Sequence, residues 1–299
     1  MTGPMLTGFQ TIAQGLYLEG LAVDSVRDVI WYSDVIGGGI HAVKSDGANV
    51  TSFNDGRMWT GGVLMNYDGC VLTSGQGGIL WNDPEGGTSG WHVAEIDGAP
   101  VNGINEMVSD GLGGIFFGTT DIEMVIAGEP TRPTAIYHLS QDRSLACVAA
   151  DIGFANGMMF DEQWMQLHCS DTFRGTWSFD VAHDRTLKNR RFVLEKEDAD
   201  GMALDAEGNQ WVTGFRSGFF TRLSPMGERL ADVPTPAGSI TQLRFGGADG
   251  CDCYFNSVPT DGGDTLKDGG EITAARSFLY KARCSVPGRQ VPPAKFKLR

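Results

Sequence analysis

The stretch Asp200-Gly201-Met202-Ala203-Leu204-Asp205-Ala206-Glu207-Gly208-Asn209-Gln210-Trp211-Val212-Thr213 reads as a polar residue opening a short alternating strand. A turn centred on Glu207-Gly208-Asn209 follows, then a second strand rich in aromatic and β-branched residues. Alone it is a hairpin. Its weight comes from recurrence, because the opening residue returns in the same phase in Glu19-Gly20-Leu21-Ala22-Val23-Asp24, Gly61-Gly62-Val63-Leu64-Met65-Asn66, Asn105-Glu106-Met107-Val108-Ser109-Asp110 and Asn156-Gly157-Met158-Met159-Phe160-Asp161. A degenerate copy stands at Ile240-Thr241-Gln242-Leu243-Arg244-Phe245.

The second halves repeat too, as in Val29-Ile30-Trp31-Tyr32-Ser33-Asp34 and Met165-Gln166-Leu167-His168-Cys169-Ser170-Asp171. From Glu19 to Gly61, Asn105, Asn156, Asp200 and Ile240 the steps are 42, 44, 51, 44 and 40 residues. That is the period of a propeller blade, so six repeats predict an all-β, six-bladed β-propeller. Residues 1–18 are expected to supply an extended segment that closes the ring, which removes an exposed sheet edge.

The 42 glycines and 12 prolines of this 299-residue chain are spread evenly, which suits many tight turns, and no linker divides the sequence. One domain over 1–299 is expected. The net charge of −14 argues against nucleic acid or an anionic membrane as partner. The expected location is cytoplasmic, since no leader and no apolar span of membrane length stands out. The six cysteines show no metal or disulfide spacing and are expected as reduced thiols. The histidines form no motif with serine or cysteine; His168 sits in an apolar alternating strand and is expected to be structural. No Gly-x-Ser-x-Gly elbow appears. The interval with the longest step holds residues 122–133, an expected inserted loop that could gate a site. The tail after Lys281 is basic and bears prolines, and is expected to be solvated with little structure. No helix is predicted.

In a propeller the innermost strands line a central channel, so equivalent positions of different repeats face one axis. Glu19, Asn105, Asn156 and Asp200 therefore converge, two carboxylates and two amides, with Gly61 and the Ile240/Thr241 region completing the ring. Carboxylates in a channel require compensation. No lysine or arginine occupies an equivalent opening position, so a single divalent cation is the expected partner. All-oxygen donors favour Ca²⁺, with Mg²⁺, Mn²⁺ or Zn²⁺ as alternatives. The plain alternative is that these groups cap strands and satisfy one another through water.

The order and spacing of these motifs resemble the SMP-30/gluconolactonase/LRE family of six-bladed propellers, related to the diisopropyl-fluorophosphatase type. The resemblance rests on Glu19-Gly20, Asn105-Glu106 with Asp110 and Gly113, Asn156-Gly157 with Ser170-Asp171-Thr172, and Asp200-Gly201 with Asp205 to Asn209 and Trp211-Val212. It implies a catalytic divalent ion held by Glu19, Asn156 and Asp200, with Asn105 a fourth ligand or a contact to substrate. It also implies hydrolysis of a lactone, with Asp200 the proton-transfer group and Asn105 and Glu106 assisting at the substrate. The family arginine two places before the Asn-Asp pair is Gly103 here, which removes a fork of donors suited to sugar hydroxyls. Gly103, Asn105 and Glu106, together with the aromatic Trp59 and Phe154 and also Phe215, are the expected substrate contacts. They favour a more hydrophobic lactone or ester than a sugar lactone. Two other readings stand beside this one: phosphotriester or P–F hydrolysis, or a lyase or isomerase reaction, with the same ion, and a non-enzymatic metal-binding propeller.

Overall fold

The computed structural model describes residues 5–54, 56–130 and 132–299; residues 1–4 of the N-terminal segment and residue 131 of the expected loop lie outside the described residues. The chain forms six four-stranded antiparallel blades, as its period predicts. Their innermost strands are Leu18–Asp24, Thr60–Met65, Gly103–Ser109, Ala155–Asp161, Ala199–Leu204 and Ile240–Gly246. Leu6–Gly15 closes the ring by pairing antiparallel with Ser277–Cys284, so the first strand of the chain is the outermost strand of the last blade.

Each innermost strand breaks register with its neighbour at the same phase: between Leu18 and Leu21, Thr60 and Val63, Ile104 and Met107, Ala155 and Met158, Ala199 and Met202, and Ile240 and Gln242. A bulge leaves a residue outside the ladder and re-aims its side chain. Glu19, Gly61, Asn105, Asn156, Asp200 and Thr241 all fall within these breaks. The glycine that follows several of them has a packing reason, because a Cβ on Gly20 would run into the Gly61 carbonyl and one on Gly157 into the Asp200 carbonyl. Glycine lets neighbouring blades approach backbone to backbone at the axis.

The far end of each hairpin is held by a side chain that accepts from its own turn. Asp110 Oδ1 takes the N–H groups of Leu112, Gly113 and Gly114, and Asp205 Oδ1 takes those of Glu207 and Asn209. Between blades lies the apolar core, where Trp31, Phe116, Phe117, Trp211, Phe245 and Phe255 are fully buried.

Three features depart from the sequence expectations. Two short helices are present, Ile122–Ile126 in the expected loop and Gly262–Lys267 in the last blade. With five and six residues each they are too short for an apolar period to announce. The tail is not solvated: Ala294 and Phe296 are wholly buried, and Ala294 N–H donates to Met65 while Lys295 N–H donates to Gly113. Alternate burial of Ala294, Phe296 and Leu298 between exposed lysines is a strand-like pattern that the basic composition hid. Third, the channel does hold a cation, since Arg244 from the degenerate repeat is buried within it. All six cysteines are free, and among the described residues no helix is long and apolar enough to cross a membrane.

Candidate active site

At the end of the channel where the innermost strands begin lies a cavity of about 580 Å³, and Glu19, Gly61, Asn105, Asn156 and Asp200 all line it. The repeat positions singled out by phase are thus brought together by the six bulges. Asn156 and Asp200 are buried, and Glu19 and Asn105 keep part of their surface open to the cavity.

Asp200 Oδ1 is buried without a hydrogen-bond partner. Burial, then the Glu19 and Glu106 carboxylates, hold its pKa well above the ordinary value. Although Glu19 retains some exposure, it stands deep in the ring, where burial and then Glu106 push it up to about 8. Two acids that resist ionisation because nothing opposes their charge form a site that wants a cation. The amide of Asn156 is held in place beside Asp200: its Nδ2 donates to Thr172 Oγ1 at 3.3 Å, and Thr172 Oγ1 in turn donates to the Ala199 carbonyl at 2.7 Å.

Among the described residues no three His, Cys, Asp or Glu side chains converge to hold an ion. The donor set is two carboxylates and two amides. Hard oxygen donors of this kind fit a divalent cation of the Ca²⁺ or Mg²⁺ type that keeps water in its remaining positions. The unpartnered oxygen of Asp200 is the observation that makes the fit.

Glu106 and Gly103 are placed differently from expectation. The Glu106 carboxylate does not line the cavity; it accepts from Gln242 Nε2 and from its neighbour Met107 N–H, and lies 3.8 Å from Arg244 Nη2. Glu106 shares with Asn105 the register break between Ile104 and Met107, and its carboxylate is taken up by Gln242 and Arg244 of the sixth blade. Gly103 is likewise absent from the cavity lining, and a Cβ there would meet the Ile122 side chain. The space of the missing arginine is closed by the short helix.

Trp59, Phe154 and Phe215 line the cavity. Sequence reasoning missed Tyr17 and Phe173. Tyr17 stands two residues before Glu19, in the bend that precedes the strand, where no strand alternation applies. Burial, then Glu19 and Asp200, raise its pKa well above the ordinary value, so it stays a neutral phenol. Phe173 follows the Ser170-Asp171-Thr172 segment and carries no periodic signal. The helices Ile122–Ile126 and Gly262–Lys267 wall the mouth with Ile122, Val125 and Leu266. His168, by contrast, is a buried core residue that hydrogen-bonds Ser178 Oγ through Nδ1 at 2.6 Å.

Residues 18–258 match the pattern of the SMP-30/Gluconolactonase/LRE-like region. The chain is 31% identical over 174 residues to regucalcin of Danio rerio, an alignment covering 56% of this chain and 58% of the relative. It thus spans somewhat more than half the length of that curated relative. In three dimensions it resembles a calcium-binding protein, regucalcin, from Agrobacterium tumefaciens, with a TM-score of 0.79, 18% identity and coverage of 97% and 98% of the two chains. It also resembles a gluconolactonase from Xanthomonas campestris, with a TM-score of 0.75, 20% identity and coverage of 93% and 89%. At these identities the structural likenesses speak for the fold.

Proposed function

Since the chain belongs to the SMP-30/gluconolactonase/LRE-like family, we propose that it is a metal-dependent hydrolase that opens a lactone ring, and that its lactone is more hydrophobic than a sugar lactone. The observation that carries this reading is the unpartnered Asp200 oxygen in a cavity that the aromatic rings of Trp59, Phe154, Phe173 and Phe215 share with the polar axial residues. Family relatives described as a gluconolactonase and as calcium-binding regucalcin support it.

Glu19, Asn156 and Asp200 would hold one divalent cation, Ca²⁺ before Mg²⁺, Mn²⁺ or Zn²⁺, with Asn105 as a fourth ligand or a substrate contact. Such an ion supplies positive charge against which an ester carbonyl is polarised and its developing negative charge is stabilised. The protein's own groups do the rest. Asp200 would also accept and return a proton, through the carboxylate oxygen that the ion leaves free. Tyr17 presents a neutral phenol to the same cavity. Thr172 holds the Asn156 amide in place. The apolar walls exclude competing water and take the carbon skeleton of the substrate. Glu106 acts from below, balancing Arg244 in the channel rather than touching substrate.

The test is proton release from a panel of aliphatic, aromatic and sugar lactones, with protein stripped by chelator and then refilled with each of the four ions. Metal-restored hydrolysis, strongest for apolar lactones, is expected. Silence on every lactone with metal bound would move the assignment to phosphotriester or non-hydrolytic chemistry at the same site.

A further inference from the structure

Phe173 sits in left-handed backbone, where its N–H donates to the Glu197 carbonyl at 2.8 Å. It lies in the hairpin turn between strands Gln166–Asp171 and Gly175–Val181, with φ at 75°. That is left-handed backbone, where a bulky side chain crowds its own carbonyl. The corresponding turns of the first two blades use glycines at positive φ, Gly38 and Gly39 in one, Gly77 and Gly78 in the other, and this turn too ends on one, Gly175 at 148°. Phe173 adopts the left-handed conformation with a bulky side chain, and it is 40% exposed. Such outliers persist where the side chain serves a ligand.

The surroundings say what ligand. Phe173 faces the cavity as the middle of a chain of rings, edge-on to Phe154 at 6.4 Å and to Phe215 at 5.9 Å. Trp59, also at positive φ (55°), lines the same cavity. Two bulky aromatics in left-handed backbone therefore line one opening. Lys267 Nζ sits 5.3 Å over the Phe173 ring and limits its swing. Edge-to-face packing extends naturally to one more ring, and an apolar wall of this kind rewards flat, carbon-rich groups over hydroxylated ones.

Resting on the hydrolytic reading above, we propose that Phe173, with Trp59, is the specificity-determining residue of the cavity, and that the substrate class is an ester ring carrying a fused or attached aryl group. The ester enters at Asp200 while the aryl group lies against Phe173.

The experiment compares wild type with Phe173→Gly, which suits the left-handed backbone, and with Phe173→Leu, which keeps apolar bulk without the ring. Two readouts are taken: kcat/KM for dihydrocoumarin and for γ-butyrolactone, and equilibrium binding of coumarin followed by titration calorimetry. Both variants are expected to lose about tenfold in kcat/KM for dihydrocoumarin, severalfold more than they lose for γ-butyrolactone, and to bind coumarin about tenfold more weakly. Equal loss on both lactones, or coumarin binding indifferent to position 173, would overturn the proposal. If the wild type opens neither lactone but binds coumarin through Phe173, the hydrolytic reading fails and the aryl site stands.

Discussion

The Thr241 hydroxyl donates to the Leu18 carbonyl at 2.7 Å, across 223 residues of sequence, and so ties the last blade to the first. It is one of a ring of such bonds. Ser33 donates to the Gly61 carbonyl, Ser74 to Asn105, Thr172 to Ala199 and Thr213 to Thr241, each from one blade to the innermost strand of the next. The third blade breaks the pattern, because the buried Thr120 hydroxyl has no partner.

The same substitution therefore has two outcomes. Thr241→Val strands a buried carbonyl and should cost about 1–3 kcal/mol, whereas Thr120→Val removes an unsatisfied group and should cost about nothing. Urea unfolding midpoints of the two variants check this. Equal losses would show that the hydroxyl ring contributes no specific closure.

Asp200→Asn separates charge from shape at the axis. Without metal, the wild type buries two acids that repel each other, so the amide should raise the stability of chelator-treated protein. With metal the order reverses. Wild type should gain about 2.7 kcal/mol at a cation concentration of 100 Kd, and the variant much less. Thermal melts with and without Ca²⁺ decide it. An equal Ca²⁺ gain in both proteins would place the ion elsewhere.

The fold and the axial residues were legible for one physical reason. A ring of repeats converts sequence phase into spatial convergence, so Glu19, Asn105, Asn156 and Asp200 could be matched without knowing any structure. What phase could not show was which way a neighbour points. Glu106 shares a bulge with an axial residue, yet its carboxylate is taken up by Gln242 and Arg244. The cation itself went unnoticed because the sixth repeat is degenerate, and Arg244 stands four residues past its start. Phe173 escaped because it belongs to a turn, where no period operates. The two helices and the packed tail escaped because each is short and is stabilised by tertiary contacts rather than by local propensity.

His168 gives the protein a dependence on pH. Burial, with help from Arg191 and against Asp161, lowers its pKa to about 4. The unfolded chain titrates near 6.5, so between these values the native state binds fewer protons than the unfolded one. Stability from this group is whole above about pH 6.5 and is lost as pH falls toward 4, by about 3 kcal/mol at most. His92, lowered to about 4 by burial and then Arg143, acts in the same window and the same direction. Urea midpoints between pH 4 and 7 should fall on acidification, and His168→Gln should remove its share of the slope and leave that of His92. A slope unchanged by the substitution would mean that His168 is protonated within the fold.

The C-terminal tail is the least expected part of the structure, and Phe296 is its anchor. The ring is wholly buried in the cluster that contains Phe117, Leu72 and Met107, and lies 4.3 Å from the His92 ring. Backbone bonds on either side lock it in register, with the Asn66 side chain accepting from Phe296 N–H at 3.0 Å and donating to the Phe296 carbonyl at 2.9 Å. Phe296→Ala should therefore behave as a core truncation and cost about 3–5 kcal/mol, because a cavity opens that its rigid neighbours cannot fill. Trp164, 53% exposed, provides the contrast, and Trp164→Ala should stay within about 0.5 kcal/mol of wild type. Because the tail packs on blades two and three, far along the chain from its own blade, its loss should also shift the whole cooperative transition rather than fray one end. Denaturation followed by both tryptophan fluorescence and far-UV circular dichroism distinguishes these cases. Coincident curves displaced to lower urea support a tail built into the core, and a separate early phase seen by one probe would show that it docks as an appendage.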